Sequence, residues 1–317
     1  MRVPLLLICG ASFAAAASGP MRVVVAQDGS GDFPTIQRAV DHALDNAGAD
    51  RGRLVIEIRP GTYKERVILP KDMPNVTFRG SDAKTTIITS DMSAKVAGGT
   101  FLSATVTIYG DGFEAENITF ENTFGQGSQA VALTIYSDRA ILRQCRFLGW
   151  QDTLYAAAGR QYYVDRYIAG ATDFIFGNAA AVFDHCEIHA SGPGYLTAQS
   201  RTLPDGPTGY VFQHCRLTGE PNLKNISLGR PWRDYSRVVY LDCWMGDHIA
   251  PPGWNNWGKP EAQKHAFYGE YNSEGPGANP SARVPWARQL TATEAKSFRP
   301  EVFLRGDDNW NPVAVHF

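Results

Sequence analysis

The stretch QCRFLGWQDTLYAAAGRQYYVDRYIAGATDFIFGNAAAVFDHCEI, residues 144–188, carries one pattern three times. Gln144-Cys145-Arg146-Phe147, Asp165-Arg166-Tyr167-Ile168 and His185-Cys186-Glu187-Ile188 each read polar, any, polar or aromatic, large apolar, at spacings of 21 and 20 residues. Working outward, the quartet recurs as Asn75-Val76-Thr77-Phe78 and Asn117-Ile118-Thr119-Phe120, then as His214-Cys215-Arg216-Leu217 and Asp242-Cys243-Trp244-Met245. The outer spacings are 42, 27, 29 and 28 residues, and 42 reads as two units of 21. Side chains alternate along a strand, so the second and fourth residues of each quartet share a face. That face is apolar except at Arg166, where either the register slips or the coil has a polar neighbour. A near-constant unit with variable loops marks a solenoid. Short β-rich units without intervening helices select an all-β, single-stranded parallel β-helix over a β-sandwich of coincidental spacing.

The ends suit a solenoid. Residues 22–26 form a strand. Pro34 to Leu44 places Ile36, Val40 and Ala43-Leu44 at helical spacing, as for a short helix capping the open N-terminal end of the core. After about residue 251 the periodicity fades into a tail expected to pack along the outside, with a short helix over 291–299. Residues 1–18 carry a positive charge at Arg2, run through Leu5–Ile8 and an Ala-rich stretch, and reach a small-residue cleavage site, the pattern of a signal peptide. Export to an extracellular or periplasmic compartment is therefore expected, with residues 19–317 as one β-helix domain. No run approaches the roughly 20 apolar residues of a membrane span. Lys+Arg of 30 against Asp+Glu of 32 gives a net charge of −2, which disfavours nucleic acid or a membrane surface as a partner.

Two aspartates share a column. Asp152 lies five residues after Phe147, and Asp173 five residues after Ile168, in equivalent places of successive coils. Stacked coils bring them one strand spacing apart, about 4.8 Å at the backbone. At roughly 5 Å and an effective dielectric of about 20, two carboxylates repel by about 3 kcal/mol, so one tends to keep its proton while the other stays ionised. A general acid beside a nucleophile or base needs that division. The alternative is that one of them is a turn residue facing solvent. Gln129 and Gln151 add amide donors suited to an oxyanion. Arg230 and Trp232, in Leu-Gly-Arg-Pro-Trp, supply a guanidinium to hold a carboxylate and a flat ring for a sugar face.

Five segments, in order, are similar to those of the pectin methylesterase (pectinesterase) family: Gly61-Thr62-Tyr63-Lys64-Glu65, Gln129-Ala130-Val131-Ala132-Leu133, Gln151-Asp152-Thr153-Leu154-Tyr155, Asp173-Phe174-Ile175-Phe176-Gly177 and Leu228-Gly229-Arg230-Pro231-Trp232. The resemblance implies a right-handed parallel β-helix that removes methyl esters from C6 of homogalacturonan, with no metal and no cofactor. It makes Asp173 the nucleophile, Asp152 the acid and then the base, and Gln129 and Gln151 the oxyanion donors. Arg230 would hold Asp173, while Thr100, Trp232 and Trp254 would contact substrate. It further implies a monomer that acts on pectin and a proteinaceous pectinesterase inhibitor as a partner. The rival readings on the same scaffold are a polysaccharide lyase or glycosidase and a non-catalytic polysaccharide binder.

Cys145, Cys186, Cys215 and Cys243 occupy one repeat position. Adjacent coils fall within disulfide reach, which leaves both a bridge and a ladder of reduced thiols open. The resemblance favours Cys186–Cys215. The cysteines lack the close pairing of a zinc site. His185 and His214 lie on the opposite strand face and read as exposed ladder residues.

Overall fold

The computed structural model describes residues 21–46 and 52–315. The signal segment expected over 1–18 lies outside them. The described chain winds into a parallel β-helix built from sheets of 11 and 12 strands. Within the larger sheet, the strand Tyr167–Gly177 is shared: its first half pairs in parallel with Arg146–Leu148 and its second half with Leu154–Ala156. Two arms therefore diverge from one long strand, and with the 11-stranded sheet they give each middle coil three faces. Among the described residues no helix is long and apolar enough to cross a membrane.

The core lies inside the coils and is stacked along the axis. Tyr163, Phe183, Phe212 and Tyr240 form a pile with centroid separations of 4.7, 4.5 and 4.6 Å and rings within 13° of parallel. The strand spacing of about 4.8 Å sets that repeat, since side chains at matched register in parallel strands point the same way. Each strand therefore reads apolar inward as the sequence pattern requires.

The repeated quartet is a corner. Asn117, Gln144, Asp165, His185, His214 and Asp242 all have left-handed backbone, with φ between +49° and +57°, where the chain turns from the 11-stranded sheet into an arm. Asn, Asp and His are the non-glycine types enriched in that region. Asn272 (φ +49°) is a further corner; the sequence pattern misses it because Gly275 stands where a large apolar residue is sought. Arg166 sits in the corner column between Cys145 and Cys186, so the register does not slip there.

Asn75-Val76-Thr77-Phe78 is a correction. Thr77 and Phe78 pair with Glu114 and Ala115 inside the 11-stranded sheet, so this quartet opens a strand and is out of phase with the corners. The 42-residue spacing is therefore not two units. The coil contains an excursion with the helix Ala94–Ala97 and the 3₁₀ turn Thr100–Leu102.

The Cys186–Cys215 bridge is the second correction. All four described cysteines are buried free thiols. Cys186 donates to the Tyr163 and Asp184 carbonyls, and Cys215 to those of Phe183 and Gln213. Parallel register points the two Cα–Cβ bonds the same way, which holds Cβ atoms near the strand spacing of about 4.8 Å. A disulfide needs them at about 3.8 Å.

The capping helix runs Ile36–Asp45 and buries Ile36, Ala39, Val40 and Ala43 against the N-terminal coils. The Thr35 side chain accepts from Arg38 N, and the Glu65 carboxylate accepts from the Ile36 and Gln37 amides, which satisfies the free donors of the first turn. At the other end the solenoid continues past residue 251, because Phe267–Tyr271 pairs with Arg237–Leu241. The tail then lies outside the 11-stranded sheet: Leu290, Ala295, Phe298 and Leu304 cover Tyr162, Val182, Val211 and Val239. Short helices there span Ala292–Ala295 and Pro300–Phe303, joined by a 3₁₀ turn.

Candidate active site

The two aspartates meet where the arms diverge. Leu154 pairs with Ile175, an offset of 21 residues that sets Asp152 beside Asp173, and Asp152 N donates to Thr172 O at 3.1 Å. Pairing of Tyr167–Gly177 with its other neighbour shifts register between Gly170 and Thr172 and again between Thr172 and Ile175. Asp152 (φ +65°) and Asp173 (φ +51°) both have left-handed backbone at this irregularity. Such strain at one place, about 1–3 kcal/mol for each residue, marks a site that the surrounding packing holds in shape.

Both carboxyls are buried, at 8% and 5% exposure, but their surroundings differ. Arg230 grips Asp173 with two parallel hydrogen bonds, Nε to Oδ1 at 2.8 Å and Nη2 to Oδ2 at 2.6 Å. The guanidinium is itself sandwiched, with its central carbon 3.6 Å from the Trp257 ring centre and 3.9 Å from that of Tyr195. Burial pushes the Asp173 pKa up, and the Arg230 hydrogen bonds and charge pull against it. Burial pushes the Asp152 pKa well above the ordinary carboxylate range. Repulsion from Asp173 adds to that, and only the charge of Arg230 opposes it. Asp152 is therefore the member that holds a proton, and Asp173 the member stabilised as an anion.

Thr100, Gln129, Gln151, Asp152, Asp173 and Arg230 line one pocket of about 240 Å³, and Trp232 borders it. Gln129 and Gln151 come from adjacent coils, tied by Ala130 N donating to Gln151 O at 3.1 Å. Thr100 arrives from the excursion, which Ala94 N anchors by donating to Gln129 O at 2.8 Å. The arrangement provides an anionic oxygen, a proton donor beside it and amide groups on the same concave surface, which is the equipment for acyl transfer.

Trp254 is a correction. It is 3% exposed inside the coil, stacked on Tyr268 at 4.2 Å with its indole N–H donating to Glu270. Trp257 lines the pocket in its place, together with Phe101 and Phe176. In Trp254-Asn-Asn-Trp257 the two indoles stand three apart in irregular chain, where no strand or helix period indicates which one faces inward. Phe101 adjoins Thr100 and was open to the same inference. Phe176 faces the pocket and its neighbour Ile175 the core, as alternation requires, while Phe174 also lies in the core because the left-handed backbone at Asp173 interrupts the alternation there.

A family profile described as Pectinesterase matches residues 22–307. Pectinesterase 31 of Arabidopsis thaliana is 43% identical over 294 residues, covering 89% of this chain and 92% of that one. Pectin methylesterase from carrot superimposes with a TM-score of 0.88 at 40% identity, covering 96% of this chain and 99% of the other. A pectin methylesterase solved in complex with hexasaccharide VII superimposes with a TM-score of 0.77 at 29% identity, covering 93% and 99%.

Proposed function

The chain belongs to the pectinesterase family, and from that premise we propose that it removes C6 methyl esters from homogalacturonan by an aspartyl acyl-enzyme route. The observation that carries the reading is the electrostatic inequality of two carboxyls one coil apart, Asp173 gripped by Arg230 and Asp152 buried without a hydrogen-bonded cation.

In this mechanism an Asp173 carboxylate oxygen attacks the ester carbonyl carbon. The Gln129 and Gln151 amides donate to the oxyanion of the tetrahedral intermediate. Collapse breaks the bond to the methoxy oxygen, which takes the Asp152 proton and leaves as methanol. The product is an anhydride between Asp173 and the galacturonyl C6. Asp152, now a carboxylate, removes a proton from water as that water attacks the same carbon. Collapse of the second intermediate returns Asp173 as a carboxylate and releases the galacturonic acid group, which gives its proton to solvent, while Asp152 is left protonated for the next turnover. Trp232, Trp257 and Phe101 supply ring faces on which pyranose C–H surfaces stack. The complex of a structural neighbour with a hexasaccharide supports an oligosaccharide in this groove. Export directed by residues 1–18 belongs to the same reading, since the polymer substrate is too large to reach an intracellular enzyme.

The test is methanol release from highly methylated pectin. Asp173→Ala is expected to abolish turnover while pectin binding persists, and Asp152→Asn to reduce kcat by at least about a thousandfold, the scale of losing a general acid and base. Turnover by Asp173→Ala would remove the nucleophile. Unsaturated, ultraviolet-absorbing product would move the chain to the lyase class.

A further inference from the structure

The column that turns the chain between sheets brings two imidazoles and a carboxylate together away from the catalytic pair. His185 and His214 are the corner residues of adjacent coils, with rings 4.7 Å apart. Asp184 ends the strand Ala180–Asp184 just before the first of these corners. Its Oδ1 lies 2.8 Å from His185 Nδ1 and 3.3 Å from His214 Nδ1, and one donor atom from each of the three residues falls within 4.8 Å of the others. We propose that Asp184, His185 and His214 form a binding site for a divalent first-row transition cation of the Zn²⁺ type, which staples adjacent coils at this corner.

The chemistry of the set fits such an ion. Imidazole nitrogen and carboxylate oxygen are zinc ligands at about 2.0–2.2 Å, which in a tetrahedron sets neighbouring ligand atoms about 3.3–3.5 Å apart. The 3.3 Å separation already matches, and the 2.8 Å one needs His185, whose side chain is 58% exposed, to swing outward by roughly half an ångström. Two histidines and one carboxylate leave further coordination positions to water or an exogenous ligand.

The groups behind the ligands are also in place. Asp184 is buried, and its second oxygen accepts from the Tyr162 hydroxyl at 2.8 Å, which fixes the carboxylate and turns Oδ1 toward the histidines. His214 Nε2, the nitrogen facing away, lies 3.9 Å from Asp242 Oδ2. Arg299 and Asn272 hold Asp242, each donating at 2.8 Å. The 3.9 Å separation is longer than a hydrogen bond, so Asp242 would orient the ring only once His214 closes on it as it ligates. The competing account is a surface ladder in which the histidines serve only as left-handed corner residues hydrogen-bonded to Asp184.

Calorimetric titration of ZnCl₂ into chelator-treated, untagged full-length protein distinguishes the two, with Co²⁺ absorption as a second readout. One equivalent is expected to bind, and His185→Gln and His214→Asn are each expected to weaken binding at least tenfold. His214→Asn keeps a residue type suited to left-handed backbone, and Asp184→Asn tests the third ligand. His265→Ala, at a solitary exposed histidine, is expected to bind Zn²⁺ as the parent does. Thermal midpoints are expected to rise with Zn²⁺ in the parent only, and methanol release by the metal-free His185→Gln protein to match the parent's. Equal Zn²⁺ affinity in the parent and in the combined His185→Gln and His214→Asn variant, or no binding by the parent, would overturn the site and leave the ladder.

Discussion

Asp152 and Asp173 carry the same functional group and differ only in what surrounds it. Arg230 satisfies Asp173 with two charge-assisted bonds, while Asp152 has burial and a like charge for neighbours. The consequence for stability has a definite sign. A carboxyl whose pKa is raised on folding contributes stability in full below its unfolded value, near 3.9, and loses that contribution as pH rises through the folded value. Above that folded value the ionised Asp152 is therefore a destabilising element retained for chemistry, and below it the group stands protonated as the mechanism requires. Asp152→Asn is expected to melt a few degrees above the parent on the alkaline side of that folded value, a shift that corresponds to about 1–2 kcal/mol in a domain of this size. The gap should close as pH falls toward the ordinary carboxylate range. Thermal melts across that range check the slope, and a constant gap would assign the effect to packing.

At the scale of the element, the corner column explains why one pattern recurs with variable loops. Each corner needs one residue in left-handed backbone and one core side chain, and whatever lies between corners can lengthen without disturbing the stack. Arg166 breaks the rule. Its side chain is buried among the cysteines, and its three guanidinium nitrogens have no hydrogen-bond partner among the described residues. Desolvation lowers its pKa to about 10, which still leaves a buried charge at neutral pH. Replacing even a buried ion pair with apolar groups of similar volume is often neutral or stabilising by about 1–4 kcal/mol, and Arg166 has no hydrogen-bonded partner to offset its desolvation. Arg166→Met is accordingly expected to raise the urea midpoint with an unchanged slope and to leave methanol release intact. A lower midpoint would show that the guanidinium contributes to the column.

For the whole molecule, a solenoid is stabilised coil by coil and is weakest where the stack ends. The helix Ile36–Asp45 closes the N-terminal end. Near the other end Arg283 reaches back into the last coils, pairing with both Glu270 oxygens at 2.8 and 3.0 Å and donating to the Pro251 and Gly277 carbonyls. Both side chains are almost fully buried. Arg283→Ala would leave the Glu270 charge unpaired, an expected loss of about 3–5 kcal/mol in chemical denaturation. A loss under 1 kcal/mol would show that the tail is held by its apolar face alone. Among the features of the molecule, the quartets from residue 117 onward disclosed the parallel coil, because a two-residue alternation and a unit near 21 residues leave few other ways to bury an apolar face. The matched offsets of Asp152 and Asp173 likewise disclosed their adjacency, because register in stacked parallel strands is arithmetic on residue number. Strings of residues carry no such arithmetic across loops, and for that reason they hide that Asn75–Phe78 is out of phase and that Trp257, not the Trp254 implied by the resemblance, faces the pocket. Side-chain direction was equally hidden: the cysteines share a column, yet parallel Cα–Cβ vectors keep Cys186 and Cys215 apart as thiols. The sequence by itself determined the repeat, the acidic pair and the family. Only the tertiary structure decided which indole faces the pocket, how Arg230 divides the two carboxyls and which histidines meet at a corner, because each depends on distances between chain segments that no local period encodes.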